Sequence, residues 1–215
     1  MLINKALKLC MFFIFIGTAF ACSFKNKEEN YTESEAKIVE SEILSLADRK
    51  TIDEYNQIIT TYIMDDENKF HEKLKLFTPK ALQIQNKNEK NNILMNIYMQ
   101  TKQYNNAYKL NELLINKKET ANRVAFRCQL LELLDKDKST KKECYEISAK
   151  LMKENLNKIQ KNDPMYSYSE FLYFLEMYKA GHKEYREKME TALSLIKDQS
   201  LKMNANIWYE DAIFN

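Results

Sequence analysis

From residue 34 to the end of the chain, apolar side chains return every three or four positions. That spacing collects them on one face of a 3.6-residue helix, and no stretch sustains the period-two alternation of a half-buried strand. Ile38, Val39, Ile43, Leu44 and Leu46 predict a helix over 34–48, and Ile52, Tyr55, Ile58, Ile59, Tyr62 and Ile63 predict another over 51–64. The acidic run at 65–68 reads as a junction. A short helix over 68–77 follows, built on Phe70, Leu74 and Phe77. Thr78-Pro79 should break or kink it, because Pro lacks the N–H and restricts its predecessor. One or two further turns are expected over 80–87, then a solvated junction over 86–92. The pattern next places helices over 91–102 (Leu94, Ile97, Tyr98, Met99) and from Tyr104 onward (Ala107, Tyr108, Leu110, Leu113, Leu114). A pair over 121–135 and 140–160 follows, joined by the polar link 135–140. Pro164 then stands early in a helix over 165–179. Gly181 turns the chain in a left-handed conformation, and helices over 183–197 and 200–213 complete it.

The whole chain holds two Gly and two Pro. A sheet protein of this size would need more turn residues. The expected fold class is all-α, with antiparallel helical hairpins stacked in a short array.

The first 21 residues break this pattern. Lys5 and Lys8 precede an apolar run from Leu9 to Ala21, and Ala19-Phe20-Ala21 stands before Cys22. The run is shorter than the roughly 20 residues of a spanning helix, and the layout is that of a secretory signal. The same four residues, Ala19, Phe20, Ala21 and Cys22, resemble the lipobox of bacterial lipoproteins, with Phe20 bulkier than usual. The resemblance implies that Cys22 is lipidated, with acyl chains such as palmitate, and that residues 1–21 are removed. Two or more chains would hold the protein on a membrane. Ser23, in place of the Asp that retains Gram-negative lipoproteins in the inner membrane, implies an outer-membrane location facing the periplasm. A cleaved soluble protein and an uncleaved anchor are the alternatives. Residues 22–33 are polar and read as a flexible tether, leaving 34–215 as a single helical domain.

Export changes how the charges and cysteines are counted. The chain carries 33 basic and 31 acidic residues. Without Lys5 and Lys8 the two balance, so no basic surplus suggests a nucleic-acid partner. Of the four cysteines, Cys10 leaves with the signal and Cys22 is the lipidation site. Cys128 and Cys144 remain, on either side of the polar link, where antiparallel helices would bring them to similar heights. They are either a disulfide stapling a hairpin or two buried thiols.

Leu94, Tyr98, Tyr104 and Ala107 resemble the signature positions of a tetratricopeptide repeat over 88–121. A small residue at 107 would allow the two helices to approach closely. Met95, Lys102 and Asn91 depart from the repeat's usual small residue, glycine and tryptophan. Tyr178, Gly181 and Ala192 echo the repeat more loosely. The resemblance implies a TPR-like right-handed array with a concave protein-binding face, capped by its last helix.

No constellation carries chemistry. There is no nucleophile motif, phosphate loop or metal-ligand spacing, and His71 and His182 stand alone. No cofactor, no metal and no enzymatic activity are expected. Tyrosine is the unusual residue, 13 in all, and the helix over 165–179 carries Tyr166, Tyr168, Tyr173 and Tyr178 with Phe171 and Phe174. These spread over more than one face. The helix is therefore either central to the array or presents part of this set to a partner. The expected function is an envelope lipoprotein that binds another protein. Asn- and Lys-rich helical envelope lipoproteins also resemble immunity proteins that neutralise a secreted toxin, and accessory lipoproteins of outer-membrane or secretion-system assembly form a third class.

Overall fold

A computed structural model describes residues 44–62 and 66–214. The signal-like segment, Cys22, the tether and residues 34–43 of the first expected helix lie outside these. Among the described residues there are nine helices and no strand: α1 Leu46–Tyr62, α2 Glu67–Gln83, α3 Lys87–Gln100, α4 Tyr104–Lys117, α5 Ala121–Leu133, α6 Lys138–Leu156, α7 Tyr166–Lys179, α8 Tyr185–Leu195 and α9 Gln199–Phe214. The chain is all-α, and within each of the units described next the helices pack on their neighbours in sequence. None of the described helices is long and apolar enough to cross a membrane. The helices fall into two compact units that divide between Gln103 and Tyr104, so the segment 88–121 contributes a helix to each.

In the N-terminal unit, α1 packs on α2 and α2 on α3. Tyr55 of α1 lies against Phe77 of α2, with ring centroids 5.9 Å apart. Two boundaries differ from expectation. Leu46, Ala47 and Asp48 form the first turn of α1 and do not close a preceding helix. Pro79 does not end α2, which runs on to Gln83. Pro79 is exposed, whereas Leu74, Phe77 and Ala81 around it are buried on one face. Carrying that face on to Ala81 outweighs the one backbone bond that Pro gives up. The run expected as a solvated junction over 86–92 is helical from Lys87. Asn86 caps it, its side chain accepting the amides of Asn88 and Glu89 at 3.1 Å each.

In the C-terminal unit, α4 to α8 pack in order, and α9 returns onto α7 and α8. Asn111 of α4 is buried and donates to the carbonyl of Arg123 at 3.0 Å. Arg123 in turn donates to the carbonyls of Leu114 and Lys118, at 2.8 and 2.7 Å, where α4 runs out of internal acceptors' partners. Val124, Cys128 and Leu131 of α5 form one apolar cluster with Cys144 and Tyr145 of α6. The sulfurs of Cys128 and Cys144 lie at disulfide distance, with Cα atoms 5.5 Å apart. A second cluster joins Phe171, Leu175 and Tyr178 of α7 to Met189 and Ala192 of α8 and Ala205 of α9.

Three connections end their helix in the same way. Lys102, Asp135 and Gly181 take φ values of 58°, 50° and 102°. The amides of Gln103, Lys136 and His182 then bond back to Tyr98, Leu131 and Met177, at 2.7, 3.0 and 3.1 Å. This is the left-handed cap expected at Gly181. At Lys102 and Asp135 it is made without glycine, at a steric cost.

Candidate functional site

The tyrosines of α7 divide between core and surface. Tyr178 is buried in the apolar cluster. Lys183 sits over its ring, 3.7 Å from the centroid. Tyr168 is mostly covered and packs at the edge of the same cluster. Tyr166 and Tyr173 remain half-exposed. Tyr173 stands edge-on to Tyr185 of α8, centroids 5.9 Å apart, with the two hydroxyls 3.4 Å from each other. Burial and the Tyr185 hydroxyl push the Tyr173 phenol up to about 12. Phe174 lies 5.7 Å from Tyr185. Lys153 and Lys188 stand over Tyr173 and Tyr185, at 5.7 and 4.3 Å. The result is an aromatic face ringed by ammonium groups, a geometry that favours cation–π contact.

His182 links this face to a cleft, its ring 6.4 Å from Tyr185. The cleft, of ≈ 370 Å³, is lined by Lys138, Lys141, Lys142 and Tyr145 of α6, Lys179 of α7, and Glu132 and His182. Three lining lysines stand in the opening turns of α6, and its first turn holds no acid. Lys179 is nearly buried. Its ammonium lies 4.0 Å from both Glu132 and Asp211, 5.5 Å above the Tyr145 ring and 5.8 Å above that of Trp208.

Behind the cleft, α6 and α7 enclose polar groups. The Tyr145 hydroxyl, the Ser148 hydroxyl and one oxygen of Glu176 are buried, and their interactions are local: Ser148 with Glu176, and Glu132 with the Tyr145 phenol. Burial raises the Glu176 carboxyl to about 7, the nearby Glu132 charge adds to this, and Ser148 and Lys179 pull it back. Burial also pushes the Tyr145 phenol well above its ordinary value, helped by the charges of Glu132 and Glu176. Buried polar groups normally find partners, and here Glu132 and Ser148 supply them to Tyr145 and Glu176.

The sequence pattern pointed to the α7 tyrosines but missed the lysines, which looked like a solvated link. Their position gave no signal, since other helices of the chain also open with basic residues, Lys87 and Arg123 among them. Glu176 and Ser148 gave none, since a polar residue one turn from an apolar one reads as surface. Among the described residues, no group of three His, Cys, Asp or Glu could hold a metal ion. Comparison with protein-family models, curated proteins and solved structures returned no match.

Proposed function

We propose that the protein is a bacterial envelope lipoprotein, anchored through an acylated Cys22 on the outer membrane facing the periplasm, whose helical body docks another protein and performs no catalysis. The observation that carries this is the partly exposed aromatic face of α7 and α8, with Lys153 and Lys188 over Tyr173 and Tyr185. Rigid aromatic rings contribute contact area at modest entropy cost, and they concentrate where binding energy is found. A second reading, an immunity protein that neutralises a secreted toxin, is supported by the lysine-lined cleft beside that face. Such a protein needs a charge-complementary patch for one partner. A role in outer-membrane or secretion-system assembly rests on the repeat-like pattern of 88–121 alone. Pairing Cys128 with Cys144 suits an oxidising compartment.

Two measurements test the proposal. Cells fed a clickable fatty acid should label the wild-type protein and not Cys22→Ala; equal labelling would remove the anchor. Affinity capture in mild detergent should recover a protein that is lost with Tyr166→Ala/Tyr173→Ala. A small secreted effector would support immunity, an outer-membrane protein assembly. Capture unaffected by the two substitutions would contradict docking through this face.

A further inference from the structure

We infer that the outer face of α2, built on Leu76, Pro79 and Leu82 and flanked by Lys69, Lys75 and Lys80, rests on an anionic phospholipid surface. The inference depends on the lipid anchor proposed at Cys22 and names what the first folded unit after that anchor contacts.

An α-helix turns about 100° per residue, and α2 divides its side chains accordingly. Phe70, Leu74, Phe77 and Ala81 are buried on one side. Leu76, Pro79 and Leu82 fall on the other, where Leu76 and Leu82 are 67% and 53% exposed. Among the described helices, α2 and α9 each expose two large apolar side chains, those of α9 being Met203 and Phe214. Charge separates the two helices. α9 carries Glu210 and Asp211 against Lys202, whereas α2 carries Lys69, Lys73, Lys75 and Lys80 against Glu67 and Glu72. Glu67 is shared with His71 and Lys102, at 3.9 and 3.6 Å, and Lys80 reaches Glu54 of α1 at 2.6 Å. Lys69 and Lys75 form no ion pair among the described residues, and both are exposed. They stand on either side of the apolar positions, open to an anion.

The chemistry favours lipid over protein. Binding energy between proteins concentrates in Trp, Tyr and Arg held in pockets. The exposed positions of α2 hold none of these, and its phenylalanines are buried. Leucines between lysines suit a membrane interface instead. There the apolar tips enter the acyl boundary while the ammonium groups stay level with the head groups. Such a contact is weak by itself, and the chain supplies what it lacks. Residues 23–43 separate Cys22 from Leu44, a stretch that reaches at most about 75 Å when fully extended. An acylated Cys22 keeps the unit close to the bilayer, so the encounter becomes intramolecular and a face too weak to bind from solution can be occupied.

The test uses the mature acylated chain in vesicles of phosphatidylcholine with or without phosphatidylglycerol. A polarity-sensitive dye is attached at Leu76→Cys, at Leu82→Cys or, on α1, at the exposed Gln57→Cys. With phosphatidylglycerol present, the dyes at 76 and 82 should shift to the blue and become several-fold less open to quenching by acrylamide. The dye at 57 should do neither. Lys69→Glu/Lys75→Glu should reverse the change, and so should high salt, while the protein still floats with the vesicles. Equal quenching at 57, 76 and 82 would overturn the inference. So would shielding of 76 and 82 that is the same on both kinds of vesicle, because the chain itself would then cover the face. Shielding that needs added envelope proteins would place a protein there and overturn it too. Flotation separates this contact from the anchor. Wild-type protein that fails to float removes the anchor and this inference with it. Floating protein whose α2 dyes stay open to acrylamide keeps the anchor and removes the contact alone.

Discussion

Each unit takes one carboxylate out of water, and the two are treated in opposite ways. Asp48, at the start of α1, is buried, and its two oxygens accept the amides of Gln85 and Asn86 at 2.9 Å each. Those bonds lower its pKa. Glu176, in the middle of α7, is buried with one oxygen unpaired, and its pKa is raised to about 7. The first carboxylate ties the beginning of α1 to the link before α3. The second holds no backbone amide among the described residues and interacts favourably only with the side chains of Ser148 and Lys179. Burial of a polar group costs stability unless a hydrogen bond compensates. The contrast is one of these two carboxylates and not of the units as wholes, since Asn96 in the N-terminal unit also buries a side-chain oxygen without a hydrogen bond.

The contrast can be broken at several points. The largest effect is expected at Phe171, which is fully buried in the α7–α9 cluster. Phe171→Ala should cost about 3–5 kcal/mol, read as lost hydrogen-exchange protection in α7 to α9. Protection spread equally over α1 to α3 would contradict two separate compact units. Next is the cysteine pair. Reducing it should cost about 3 kcal/mol, as expected for a closed loop of this size, and non-reducing mass spectrometry should find Cys128 joined to Cys144. Free thiols in both would remove the staple.

The two carboxylates then predict opposite pH dependences. The folded-state value of Glu176 lies above its unfolded value of 4.5. The folded chain therefore holds this proton more tightly than the unfolded one, and stability falls as pH rises from about 4.5 to about 7. The full span is on the order of 3 kcal/mol. Glu176→Gln should recover most of it at pH 8 and little at pH 4, measured by denaturant unfolding. A loss of stability at pH 8 would mean that the ionised carboxylate has a partner. Asp48 behaves in reverse. Its folded-state value lies below 3.8, so its contribution is present above that pH and lost as pH falls. Asp48→Asn should lower the melting temperature at neutral pH and have little effect in strong acid. The smallest effect is local: Lys102→Gly should gain about 1 kcal/mol by relieving the left-handed backbone at that turn. No gain would show that the exposed pair with Glu67, 3.6 Å away, offsets the strain.

The helical class was legible because α4 to α9 carry dense apolar periodicity and few breakers. Gly181 announced its left-handed turn. Local rules failed where tertiary burial overrode them. The pattern predicts a break or a kink at Pro79, and the helix runs through it to Gln83 with Ala81 buried. The polar run after Asn86 was read as a loop because its apolar anchors, Ile93, Leu94 and Ile97, come a turn or more later. The site was half legible. Tyr166, Tyr168 and Tyr173 are partly buried and Tyr178 belongs to the core, and spacing alone does not tell which side of α7 the other helices cover. The lysine cleft is drawn from three segments, around residues 132, 138–145 and 179–182, that only folding brings together.

The central claim is that the C-terminal unit is the part of this protein that meets a partner. A photo-crosslinking amino acid placed at Tyr166, and separately at the exposed Leu76 of α2, tests it most directly in intact cells. The account predicts one discrete protein adduct from position 166 and none from 76. Adducts from 76 alone, or the same adduct from both, would contradict it.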